Sequence, residues 1–166
     1  MHTYQHILVA ADLVSSDDDP VLLRALEIAS ASNAEISLLH VVEPFYNYVS
    51  PYVVEAISEW QDQTLKSATI RLNQLGEKNN IPQERRIVKV GQVREEIVEV
   101  SNKIAADLIL VGSHGRHGIS LFFYGSLATD LINHATCDVL AVCVQSQIKV
   151  EVDAKKRKNK SQVRLA

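Results

Sequence analysis

Five short apolar runs separated by four stretches of helical period predict an α/β fold. The expected architecture is an open, doubly wound parallel five-stranded sheet with helices on both faces. Alternation with helices implies parallel pairing, because each right-handed crossover lays a helix on a sheet face. A glycine cluster, Gly112-Ser113-His114-Gly115, closes the fourth apolar run. That is the carboxyl end of a strand, where such sheets hold ligands.

The elements follow in order. Ile7 to Ala11 is an apolar run suited to a strand buried on both faces. Asp19-Pro20 reads as a helix start, with Asp19 as cap and Pro20 in the first turn; Leu22, Ala25, Leu26 and Ala29 follow at helical spacing. Ile36 to Val42 is the second strand. Ser50-Pro51 gives another cap-and-proline start, and Leu65, Ala68, Leu72 and Leu75 mark the inner face of a long helix that stops between Gly76 and Pro82. Arg86 to Val90 is a weaker third strand. Val93, Ile97, Val100 and Ile104 define the third helix, and the runs at 108–112 and 138–144 are the last two strands. Between these two lies a helix from about Ser126 to His134, with Leu127, Leu131 and Ile132 on helical spacing.

The 166 residues suit one domain, and 46% apolar content is enough to build its core. There is no run of about 18 apolar residues, so no membrane span is expected, and Met1 to His6 lacks the pattern of a secretory signal. From Lys149 onward the chain holds seven basic and two acidic residues, which leaves an acidic body at −8 within a net charge of −3. An acidic body with a basic tail excludes a nucleic-acid-binding domain, which gathers positive charge on a folded face. Residues 1–147 are read as the domain. Residues 148–166, with the block Lys155-Lys156-Arg157-Lys158-Asn159-Lys160, are read as a disordered, solvated tail.

Gly112-x2-Gly115-x9-Gly125-Ser126 combines a strand end, glycines and a helix start. Glycines let a backbone approach a ligand closely, and helix N-termini attract anions. The string is neither the P-loop spacing nor the dinucleotide Gly-x-Gly-x-x-Gly fingerprint. It resembles the nucleotide-binding motif of the universal stress protein family. His6 to Asp12, Leu39-His40-Val41-Val42, Asp107 to Gly112 and Cys137 to Val142 are similar to that family's first, second, fourth and fifth strands. The resemblance runs from about His6 to Val144 and implies the strand order 3-2-1-4-5.

It also implies a site. The carried-over binding residues are Ala10, Asp12, Val41, Gly112, Ser113, His114, Gly115, Arg116, Gly118, Gly125, Ser126 and Leu127. Backbone N–H groups from Gly112 to Gly118 would meet ribose and phosphates, with Ser126 adding its hydroxyl and N–H. Asp12 would accept from ribose or from the adenine amino group, and the Val41 backbone would read the adenine edge. Arg116 is either a phosphate partner or an ordinary solvated loop cation. Since the chain keeps the glycines, it is similar to the ATP-binding members, and the implied cofactor is ATP, with Mg or Mn held through the phosphates. The aromatic stretch Tyr46 to Tyr52 is more similar to the members that lack the glycines. The implied role is a cytoplasmic stress-response regulator, dimeric through the strand Val139 to Val144, with a protein partner the sequence does not name. The alternatives are a nucleotide-independent dimeric interaction protein of the same fold and a slow ATP hydrolase. An adenylate-forming enzyme is disfavoured, because Asp12-Leu13-Val14-Ser15-Ser16 contains no glycine.

No catalytic residue is assigned. No serine occupies a Gly-x-Ser-x-Gly elbow, and Cys137 and Cys143 are read as packed thiols in a reducing cytoplasm. His114 and His117 flank glycines and are read as phosphate-proximal or solvated rather than metal-bound; His40 is read as a satisfied strand residue. Phe45 to Tyr52 is read as a lid or as packing beneath the long helix, and Phe122-Phe123-Tyr124 as buried apolar chain.

Overall fold

The computed structural model describes residues 3–13, 19–44, 54–112 and 126–143. Five strands form one parallel sheet: β1 (His6–Ala10), β2 (Glu35–Val42), β3 (Arg86–Val90), β4 (Leu108–Gly112) and β5 (Asp138–Val142), in the order β3-β2-β1-β4-β5. Among the described residues four α-helices connect them: α1 (Pro20–Ser32), α2 (Val54–Lys78), α3 (Val93–Lys103) and α4 (Ser126–His134). The expected fold class and strand order are those observed. The fifth strand ends at Val142, before Cys143; Val144 lies outside the described residues.

Strand alternation divides the core into two layers. Ile7, Val9, Ala11, Ile36, Leu38, Leu108 and Leu110 face α1 and α2, where Leu22, Ala25 and Leu72 meet them. Leu8, Leu39, Val41, Ile109 and Val111 face α3 and α4, where Ile97, Val100 and Leu131 meet them. The three inner strands are therefore apolar on both sides, as buried parallel strands must be. On α2 the anticipated inner face is sharper than its periodicity: Ala68 and Leu72 are buried, Leu65 and Leu75 only half-buried. The second start signal, Ser50-Pro51, lies outside the described residues.

Local chemistry sets the element ends. Asp19 caps α1, its Oδ1 accepting from the amides of Val21 at 2.8 Å and Leu22 at 3.3 Å. Asn33 closes that helix in the left-handed region at φ 56°, where asparagine is tolerated. At the amino ends of the strands, Asp107 accepts from the amides of Gln5 at 2.7 Å and His6 at 3.1 Å. The His6 ring spans the same end. Its Nδ1 lies 3.1 Å from the Ile104 carbonyl, which can only accept, so in the neutral ring Nε2 accepts from the Ser37 hydroxyl at 2.8 Å.

One reading of the cysteines is corrected. Cys137 is half-buried, and burial pushes its thiol pKa up, helped by the charges of Asp107 and Asp138. Cys143 is exposed instead of packed, because it follows an edge strand that has a neighbour on one side only. His40 is buried and bonded, as read. The basic tail, Phe45 to Tyr52 and Phe122 to Tyr124 lie outside the described residues.

Candidate nucleotide site

The strand order reverses between β1 and β4, so the crevice beyond their carboxyl ends is where a doubly wound sheet receives a ligand. Register fixes which residues meet there. Val9 pairs with Leu110, which sets Ala11 level with Gly112. Ala10 pairs with Leu39, which sets Asp12 level with Val41. Asp12, Val41 and Gly112, far apart in sequence, therefore converge at one end of the sheet.

The end of β1 has a distinctive construction. Its last ladder bond on the β2 side runs from the Ala11 amide to the Leu39 carbonyl, at 2.9 Å. A continuing ladder would bring the Val41 amide onto the Ala11 carbonyl, but the pairing of β1 with β2 ends at Ala10. The His40 ring takes that carbonyl through Nδ1, at 2.7 Å. Two residues later Leu13 adopts φ 57°, in the left-handed region. A branched side chain pays for this conformation in strain, and such residues concentrate at functional sites.

Strand β2 runs on past this point to Val42. The Val42 carbonyl accepts from Gly91 on the β3 side at 3.1 Å, and successive residues of a strand turn their amides to opposite neighbours. The N–H and C=O of Val41 therefore point to the β1 side, beyond the end of β1. One donor and one acceptor two atoms apart on an extended backbone form an edge that can pair with a heterocycle. The Val41 side chain packs in the core below.

The remaining candidates divide. Ala10 is half-buried and packs toward the α3 and α4 side. Asp12 is exposed at the mouth of the crevice. Gly112 ends β4 opposite Val142. Ser126 is the first residue of α4, so the amides of Ser126 and Leu127 belong to the first turn, which has no intrahelical acceptors. The Leu127 side chain packs into the core, leaving its amide as the group a ligand would meet. Ser113, His114, Gly115, Arg116, Gly118 and Gly125 lie outside the described residues, as does His117.

Sequence reasoning missed the wall beside this crevice. A cleft of about 310 Å³ opens between the end of β1 and α2. Asp12, Leu13 and His40 line its sheet side; Trp60, Thr64, Ser67 and Arg71 are among the residues that line it from α2. The Arg71 guanidinium reaches the Leu13 carbonyl at 3.4 Å and so ties the strained turn to the helix. The Thr64 hydroxyl donates to the Trp60 carbonyl at 2.8 Å. The available signal was the spacing 60, 64, 67, 71, a mostly polar stripe at helical period beside the apolar one. Among the described residues no three His, Cys, Asp or Glu side chains are grouped to hold a metal ion. No described helix is long and apolar enough to cross a membrane.

Comparison with known proteins agrees with this architecture. Residues 3–142 match the model of the universal stress protein family. Universal stress protein A homolog 2 of Coxiella burnetii is 39% identical over 145 residues, 87% of this chain and 99% of that protein. The solved structure of UspA from Lactobacillus plantarum shares the fold, with a TM-score of 0.69 at 21% identity over 87% of this chain and all of that one. So does a solved universal stress protein in complex with cAMP, with a TM-score of 0.52 at 24% identity over 85% of this chain and 98% of that one. The chain belongs to the universal stress protein family.

Proposed function

We propose that this protein binds ATP in the crevice beyond β1 and β4 and acts as a nucleotide-dependent stress regulator in the cytoplasm, as a homodimer. The observation that carries the reading is the direction of the Val41 backbone edge, which faces the β1 side level with Asp12, beyond the last β1–β2 pair. The adenine edge pairs with the N–H and C=O of Val41. The Asp12 carboxylate accepts from the ribose hydroxyls. Gly112 brings the chain to the loop of Ser113, His114, Gly115, Arg116 and Gly118, whose amides would take the phosphates. The first turn of α4, with Ser126 and Leu127 behind Gly125, adds further amides and the helix N-terminal field.

A divalent ion, Mg or Mn, enters with the phosphates rather than on a protein ligand set. The fold of a family member holding cAMP supports a nucleotide in this crevice. Catalysis is not required by this arrangement; no general base is assigned to the site.

Two measurements test the reading. Protein purified without added nucleotide is heat-denatured, and the supernatant is resolved by chromatography; released adenine nucleotide is expected. Calorimetric titration with ATP is then compared with Gly115→Val, which should bind at least tenfold more weakly with an unchanged melting temperature. Equal affinity would move the phosphate site away from the glycine loop.

A further inference from the structure

The cleft between the end of β1 and α2 has no role in the contacts assigned so far, yet it opens onto the same carboxylate, Asp12. Resting on the nucleotide reading above, we infer that α2 supplies the stacking platform for the base, with the indole of Trp60 covering one face of the ring.

The argument is geometric. The Val41 N–H and C=O project within the plane of the sheet, toward the space left by β1. A planar ring paired edge-on with them has its two faces turned to the two helical layers. On the α1 and α2 side, the layer at that level is the cleft, about 310 Å³, with Trp60, Ser67 and Arg71 on its helical wall. This volume lies at the lower end of the range for small-molecule sites. Trp60 stands out chemically: it is the single tryptophan of the chain and is 61% exposed. The indole lines the cleft while most of the residue's surface stays exposed. Aromatic stacking tolerates any base, whereas the Val41 backbone edge selects for the hydrogen-bond pattern of the base. Affinity and selectivity are thus divided between helix and strand.

Trp60 also reports on its own contact, since all tryptophan fluorescence comes from it. Titration of wild-type protein with ATP should quench that fluorescence, while inorganic tripolyphosphate, which has phosphates but no base, should leave it unchanged. Trp60→Ala should weaken ATP binding by about fivefold to a hundredfold, the range for loss of one base–aromatic stack, with tripolyphosphate binding unaltered. A second variant, Ser67→Phe, fills the cleft from the exposed side of α2 and should weaken ATP in the same selective way. If wild-type protein binds ATP, but Trp60→Ala and Ser67→Phe bind it equally well, the platform is overturned and the nucleotide reading stands. If wild-type protein binds neither ATP nor tripolyphosphate, the nucleotide reading itself fails and takes the platform with it.

Discussion

Replacing Asp19 separates two opposed effects of one carboxylate. Its Oδ1 accepts from the Val21 and Leu22 amides and satisfies two donors that α1 leaves without partners. The same group is only 8% exposed, and its burial pushes its pKa above the ordinary carboxylate range; the two amide bonds pull it down, and the charge of Asp12 adds to the rise. Asp19→Ala loses the cap, at a cost of about 1–2 kcal/mol. For a chain of this length each kcal/mol moves the melting temperature by roughly 2–4 °C, so the variant should melt roughly 2–8 °C lower. Asp19→Asn keeps the acceptor and removes the buried charge, so at pH 7 it should melt at or above the wild type. The pH dependence has a definite sign. The folded pKa lies above the unfolded one, so the native state holds the proton more tightly. The stability it contributes is full below the unfolded value and is lost as pH rises through the folded value. The gap between Asp19→Asn and wild type should therefore widen in favour of asparagine as pH rises from about 4 to 7. Scanning calorimetry across that interval decides. An asparagine variant as damaged as the alanine variant, or a gap that closes as pH rises, would refute the reasoning.

Three further outcomes are expected. Val142→Pro, in the edge strand β5, should lower the dimer fraction in sedimentation, since proline removes a ladder donor and clashes with pairing; dimers that survive it place the interface elsewhere. Deleting residues 149–166 should leave melting temperature and ATP affinity unchanged, because the segment has too little apolar surface to offset ordering; a clear loss of stability would show that it docks. Ala105→Gly should stabilise by about 0.5–1 kcal/mol, because exposed Ala105 closes α3 at φ 52°; a lower melting temperature would mean that the turn relaxes without strain.

What the sequence made legible is what it encodes locally or periodically. Asp19-Pro20 announces a helix start through chemistry confined to four residues, and Val93, Ile97 and Val100 announce a helix face through spacing alone. The strand order was legible only through resemblance, since nothing in the apolar runs says which neighbour each will choose. The polar stripe of α2 was missed because exposed polar residues at helical spacing are the ordinary outer face of any helix. Only the placement of that stripe against Asp12 makes it a wall, and placement of this kind is set by the crossover from β2 to β3. Cys143 was misread because its apolar run does not reveal that the strand stops one residue before it, at Val142.

The most informative site feature follows from a mismatch in strand length. Strand β2 extends three residues beyond its last pair with β1, and the chain leaves the sheet through Asp12 and the left-handed Leu13. Had the chain stayed extended there, Leu13 would have come level with Val42, and the β1 side of Val41 would have been filled by backbone. The turn costs strain at Leu13, and two contacts hold it in place: the His40 ring on the Ala11 carbonyl, and Arg71 on the Leu13 carbonyl. Both holding groups come from the layer that lines the α2 cleft. An isolated strained residue would relax; one fixed from two elements holds the chain out of the β2 ladder at the level of Asp12. On this account Leu13, His40 and Arg71 act as positioning residues for the proposed site, holding the turn beside the Val41 edge.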